Sequence, residues 1–158
     1  MSDSVQRVQD ALRASGLAKP IRTFVDPVPS AAAAAEQLGC PVGAIANSLL
    51  FAVSGEPLLV LASGAHRVDL RRVASHLGTS KGKIRQADPA SVLRATGQEV
   101  GGVAPVGHPA PITTLVDIWL EQHAEVWAGA GDEYSMFPTT FAELVRITGG
   151  AGLDVGGQ

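Results

Sequence analysis

Cysteine is nearly missing from this chain: Cys40 stands alone, which excludes an internal disulfide and a cysteine-based metal cluster. The histidines His66, His76, His108 and His123 form no His-x-x-x-His or His-Glu pair on a helix, so no metal site is expected. Aromatic residues are only 4% of the chain, leaving Leu, Val, Ile and Ala to fill a core. The longest apolar region, Val42 to Ala62, is broken by Asn47, Ser48 and the turn Ser54-Gly55-Glu56-Pro57, so it reads as two strands and not as a membrane span. Met1 to Ala18 is polar and punctuated by Gln, Arg and Asp, unlike a secretory signal. These absences lead to an expectation of a cytoplasmic protein without membrane, metal or cofactor.

What is present suits one compact domain: 158 residues, 46% hydrophobic and 17% charged. The expected domain covers 1–148, and residues 149–158 form a glycine-rich tail expected to fray. The net charge of −3 hides a segregation. Arg67, Arg71, Arg72, Lys81, Lys83 and Arg85 are half of the 12 lysines and arginines, interrupted only by Asp69. From Glu99 onward there are eight acids and one base, Arg146. A charge run is usually a solvated face, but a basic stripe on an acidic protein also meets a phosphate backbone locally.

Hydrophobic spacing and caps predict the elements. Helices are expected over Val5 to Leu12, Ala31 to Leu38 behind Ser30, Val68 to Leu77, Pro89 to Thr96 behind Asp88, and Phe141 to Ile147 behind Thr139 or Thr140, with Glu143 placed for a capping box. Strands are expected over Ile21 to Val25, Ile45 to Val53, Leu58 to Ser63, Glu99 to Val103, Leu115 to Leu120 and Glu125 to Ala128. The irregular interleaving predicts an α+β fold, with a mixed, largely antiparallel sheet and helices around it.

Gly101-Gly102-Val103-Ala104-Pro105-Val106-Gly107-His108 packs three glycines and a proline into eight residues. The plain reading is a turn between strands. The functional reading is a carbonyl or oxyanion site, whose amides escape ladder hydrogen bonds. It is no dinucleotide fingerprint, and no Lys-Ser or Lys-Thr ends it as in a P-loop. His108 abuts it. Ser63-Gly64-Ala65-His66-Arg67 ends a strand before a helix and fits a capped or anion-binding helix start. Asn47 should share a strand face with Ile45 and Leu49, a polar residue on an apolar face. Gly129-Ala130-Gly131 is a second glycine turn, suited to the opposite lip of a pocket.

In order along the chain, Ile45-Ala46-Asn47-Ser48-Leu49-Leu50-Phe51, Asp69-Leu70 to Leu77-Gly78, Ala87-Asp88-Pro89, Thr96-Gly97, the glycine loop and Val126-Trp127-Ala128-Gly129-Ala130-Gly131 resemble the YbaK family. These are prolyl-tRNA-editing-type aminoacyl-tRNA deacylases, and the resemblance covers about the whole chain. It implies a barrel-like YbaK fold and a trans-acting hydrolase that cleaves a wrong amino acid from tRNA. It implies few catalytic side chains, a bound water and help from the terminal adenosine's own hydroxyl. By this resemblance Asn47, Gly101, Gly102 and Val103 would carry the chemistry. Ser63, Gly64, His66, Ala104, Pro105, Gly107, His108, Gly129 and Gly131 would bind substrate. Arg67, Arg71, Arg72, Lys81 and Lys83 would meet the tRNA acceptor end, and an aminoacyl-tRNA synthetase is a further partner to consider. Two residues depart from the family: Asn47 stands where a lysine is usual, and Ala104 where the loop carries a serine. The alternative is a family member that binds an aminoacyl-adenosine or tRNA end without turnover. The edited amino acid and the oligomeric state stay open.

Overall fold

The computed structural model describes residues 2–156. Each α-helix in it starts on a capping side chain that accepts an otherwise orphaned N–H. Ser2 accepts from Val5 to start α1 (Asp3–Ala14), and Ser30 accepts from Ala33 to start α2 (Ala31–Leu38). Asp69 accepts from Arg71 before α3 (Leu70–Leu77), and Asp88 from Ser91 before α4 (Pro89–Thr96). Thr140, not Thr139, caps α5 (Phe141–Thr148) by accepting from Glu143. The Glu143 carboxylate does not close a capping box: its Oε1 accepts from Thr139 Oγ1 at 3.2 Å and pairs with Lys19 Nζ at 3.2 Å.

The strands are β1 (Arg22–Thr23), β2 (Ile45–Val53), β3 (Glu56–Ser63), β4 (Ile84–Gln86), β5 (Thr113–Asp117), β6 (Val126–Gly129), β7 (Ser135–Thr139) and β8 (Ala151–Leu153). They form one mixed sheet in the order β1-β7-β6-β2-β3-β5-β8, with β4 also on β2. The pairs β1–β7, β2–β3, β2–β4 and β6–β7 are antiparallel; β2–β6, β3–β5 and β5–β8 are parallel. This is the mixed α+β architecture expected from the sequence. Leu59 and Leu61 of β3 face a core closed by α1, α4 and α5, while Leu58, Val60 and Ala62 face α3. Both sets are solvent-excluded, so β3 is a central strand buried on two faces.

Several expectations are corrected. Glu99 to Val103 is not a strand but a turn, closed where Gly102 N–H donates to Glu99 O and followed by a segment that Gln98 holds at Ala104 and Val106. Residues 118–120 leave the predicted strand as a 3-10 turn (Ile118–Gln122), started where Asp117 Oδ1 accepts from Trp119 N–H at 3.0 Å. The strands β4, β7 and β8 were not foreseen. The tail does not fray over its described part. β8 pairs with β5, Val155 is fully buried, and Asp69 N–H donates to Val155 O at 2.7 Å. Asp154 accepts from Arg72 Nη1 at 2.8 Å and from Trp119 Nε1 at 3.1 Å. Gly157 and Gln158 lie outside the described residues.

One feature of β2 positions the cavity. Its first edge pairs with β3 from Ala46 to Val53. Its second edge meets β6 at Ile45 and Ala46, then β4 at Phe51 to Val53. Residues 47–50 therefore run past a gap between two strands. Leu50 O points into that gap, where it accepts from Ala87 N–H at 3.0 Å. Main-chain groups two residues apart on a strand point the same way, so the N–H and C=O of Ser48 also face the open edge.

Removing residues 149–158 deletes β8 and the buried Val155, whose side chain alone is worth about 1.5–3 kcal/mol. The expected outcome is a clear fall in the urea midpoint, checked by equilibrium unfolding followed by circular dichroism.

Candidate functional site

The gap on β2 opens into a cavity of about 300 Å³. Asn47, Ser48 and Leu49 form its floor, Gly101, Gly102 and Val103 one wall, and Gly129 and Asp132 another. Val28, Ala31, Ala34, Ile45 and Met136 make one end apolar. Asn47 shares a face with Ile45 and Leu49, opposite Ala62, while Ser48 sits on the other face, opposite Leu61. Both residues line the cavity because the strand is bare at that edge.

The glycine loop is shaped by a residue that the sequence reading passed over. Gln98 is buried, and its Nε2 donates to Val106 O at 3.1 Å while its Oε1 accepts from Ala104 N–H at 2.6 Å. One amide thus ties both limbs of the loop. Thr96 Oγ1 in turn accepts from Gln98 N–H at 3.0 Å and lies 2.7 Å from Val92 O. His108 Nε2–H donates to Ala104 O at 2.8 Å, adding a third tie. Gly102 N–H turns back to Glu99 O at 3.3 Å, and Gly131 N–H donates to Gly102 O at 2.9 Å. A Cβ on Gly102 would overlap the Asp132 backbone, so only glycine lets these two turns meet. Among the described residues, the amides of Gly101 and Val103 donate to no protein acceptor.

Electrostatically the cavity is spare. Among the described residues, Asp132 is the only ionisable one that lines it. Its Oδ1 accepts from Tyr134 N–H at 3.0 Å and its Oδ2 from Ser2 Oγ at 2.9 Å. No lysine, arginine or histidine among the described residues lines the cavity, and Asn47 supplies a neutral amide. Ser48 Oγ is the one buried side-chain polar atom without a hydrogen-bond partner among the described residues. No cluster of three or more potential metal ligands occurs among them either.

Of the expected site residues, Asn47, Gly101, Gly102, Val103 and Gly129 converge on this cavity. Others do not line it. Ser63 Oγ donates to Gly43 O at 2.8 Å and its N–H to Asp117 Oδ2 at 3.0 Å. His66 Nδ1 lies 3.0 Å from that same buried carboxylate, with its ring edge-on to Trp119 at 5.1 Å. These two residues, with Gly64 packed on Val42 and Ala31, lock the end of β3. Ala104 and Pro105 point into the protein, and Gly107 packs on Val8 of α1. His108 serves the loop from behind. Gly131 lines a neighbouring cavity with Asp132. The sequence marks Ser48, with Asn47, as a polar pair within an apolar strand, but gives no sign of Gln98, Thr96 or Asp132 as contributors, and nothing local marks Gln98.

A small cavity beside a glycine loop with unbonded amides, set on a mixed α+β sheet, defines the candidate site. A family model described as the aminoacyl-tRNA editing domain matches residues 25–147. The chain belongs to that family. YwhH of Bacillus subtilis (strain 168), an uncharacterized protein, is 32% identical over 116 residues, covering 73% of this chain and 72% of YwhH. A crystal structure described as a candidate trans-editing enzyme for prolyl tRNA synthetase is 34% identical with a TM-score of 0.92, covering 100% of this chain and 99% of that one. The crystal structure of the protein APE2540 is 29% identical with a TM-score of 0.83, covering 93% and 98%. No helix among the described residues is long and apolar enough to cross a membrane.

Burial lowers the pKa of His108 from its ordinary value, opposed in part by the hydrogen bond to Ala104 O. With its folded pKa below the unfolded one, the loop's stability is fully present above about pH 6.5 and falls as pH drops below it. Urea midpoints measured from pH 7.5 to 5 should fall for the wild type and fall less for His108→Gln. Ser48→Ala removes a buried hydroxyl that has no partner, so its melting temperature should equal or exceed the wild type's.

Proposed function

We propose that this protein is an aminoacyl-tRNA editing hydrolase acting in trans on the ester between a small amino acid and the 3′ end of tRNA. The observation that carries the reading is the placement of Asn47 across one small cavity from the bare amides of Gly101 and Val103, in a chain of the editing family. The aminoacyl carbonyl oxygen lies against those amides, which stabilise the negative charge that develops on it. Water adds to the carbonyl carbon, the bond to the ribose oxygen breaks, and the proton passes to that oxygen. The Asn47 amide orients the water or the carbonyl. Ser63, His66 and His108 are engaged with protein partners, so none serves as nucleophile or base. The cavity's volume sits at the lower end of small-ligand sites and favours a small side chain.

A second reading, binding without turnover, is favoured by one observation: no cationic side chain lines the cavity. A neutral hydrogen bond is about half as strong as a charge-assisted one. Incubation with a panel of mischarged tRNAs decides between them. The expected outcome is release of at least one small amino acid well above the buffer rate. Asn47→Ala should then lower kcat/KM about tenfold or more, since one oxyanion donor is worth about 10²–10³ in rate. If no member of the panel is released faster than in buffer at high protein concentration, the hydrolase reading fails. A gain of hydrolysis in Asn47→Lys would favour the binding reading.

A further inference from the structure

We propose that the 3′ end of tRNA reaches the cavity across β4, with its phosphates on Lys83 and Arg85 and its terminal nucleoside in a second cavity. This rests on the editing reading above. The second cavity, about 390 Å³, continues the first around the glycine loop: both are lined by Ser48, Leu49, Val100, Gly101 and Val103. Beyond the shared wall it is lined by Leu50, Ala87, Pro89 and Val92, which offer apolar surface to a base, and by the Gln86 amide, which offers hydrogen bonds to its edge.

The register of β4 decides which cations stand beside it. Arg85 pairs with Ala52, and Ala52 shares its strand face with Leu50 and Ser48. The Arg85 side chain therefore emerges on the same side of the sheet as the second cavity. Exposed Lys81 and Lys83 lead into it, and the ion pairs among the described residues involve none of these three.

The other approaches are closed to a polyanion. A further cavity of about 460 Å³ on the far side of Val100 is rimmed by Asp3, Glu99, Asp132 and Glu133 against Arg7, whose Nη2 donates to Gly97 O at 3.1 Å. Four carboxylates and one guanidinium repel phosphates. Arg71 and Arg72 begin α3, which packs on the opposite face of the sheet through Val73 and Ala74. Arg72 is also held by Asp69 at 3.7 Å and Asp154 at 2.8 Å. The basic stripe thus divides into a part beside the cavity and a part that anchors the tail.

The test uses a synthetic RNA hairpin ending in a single-stranded CCA 3′ end, titrated by fluorescence anisotropy across a salt series. The double variant Lys83→Glu/Arg85→Glu should bind at least tenfold more weakly. Its log–log salt slope should be shallower by about 0.7–0.9 per lost phosphate contact. Arg71→Glu should bind within twofold of the wild type. Binding by the double variant that equals the wild type's, or an equal loss in Arg71→Glu, overturns the proposal. The wild type's hydrolysis of mischarged tRNA separates the two readings. Hydrolysis with hairpin binding indifferent to β4 removes the β4 path and keeps editing. Absence of hydrolysis with β4-dependent binding removes editing and keeps the path.

Discussion

One buried amide holds the site together. Gln98 hydrogen-bonds Ala104 and Val106 at once, so the chain between them cannot spread into a strand. A buried side-chain amide without both partners would carry an unmet desolvation penalty of about 1–3 kcal/mol, so the loop and Gln98 each require the other. With the limbs fixed, Gly102 can dock against the Gly131–Asp132 turn, and that contact sets the width of the cavity. His108 and Thr96 extend the same network outward.

The second constraint is topological. A strand whose edge is fully paired has no main-chain groups to offer a ligand. β2 escapes this because β6 and β4 each take only an end of its second edge. The interval carries Asn47 and Ser48, one on each face, and the glycine loop stands over it. Site and scaffold are therefore one object: the sheet is interrupted where the cavity lies. An unpartnered Ser48 hydroxyl in such a place is a stability cost that packing alone does not explain.

Charge is arranged around this opening with similar economy. The cavity wall carries a single carboxylate, already satisfied by Ser2 and Tyr134. Carboxylates crowd one side, and free cations stand on the other, past β4. The same basic stretch that looks continuous in sequence is split by the sheet, because α3 packs on one face and the Arg85 side chain of β4 emerges on the other.

Much was legible without coordinates. Helix starts at Ser30 and Asp88 follow from local cap chemistry, which also narrows the last start to Thr139 or Thr140, and the β2–β3 hairpin follows from its apolar runs around Ser54-Gly55. The placement of Asn47 beside Ile45 and Leu49 follows from strand alternation alone. The two glycine turns were also visible as turns, and the whole-chain resemblance joined them to Asn47. Tertiary structure decided the rest. Short strands such as β4, β7 and β8 are stabilised by their neighbours, so no local signal announces them. The tail looked loose from its glycines, yet those glycines let it lie against β5 and α3. His66 looked like a site residue until the fold brought Asp117 to it from 51 positions away. Nothing local in the sequence sets Gln98 apart, and only the fold buries it. Caps and alternation are local physics and can be read from the chain; which polar groups are already satisfied depends on partners that only folding brings into reach.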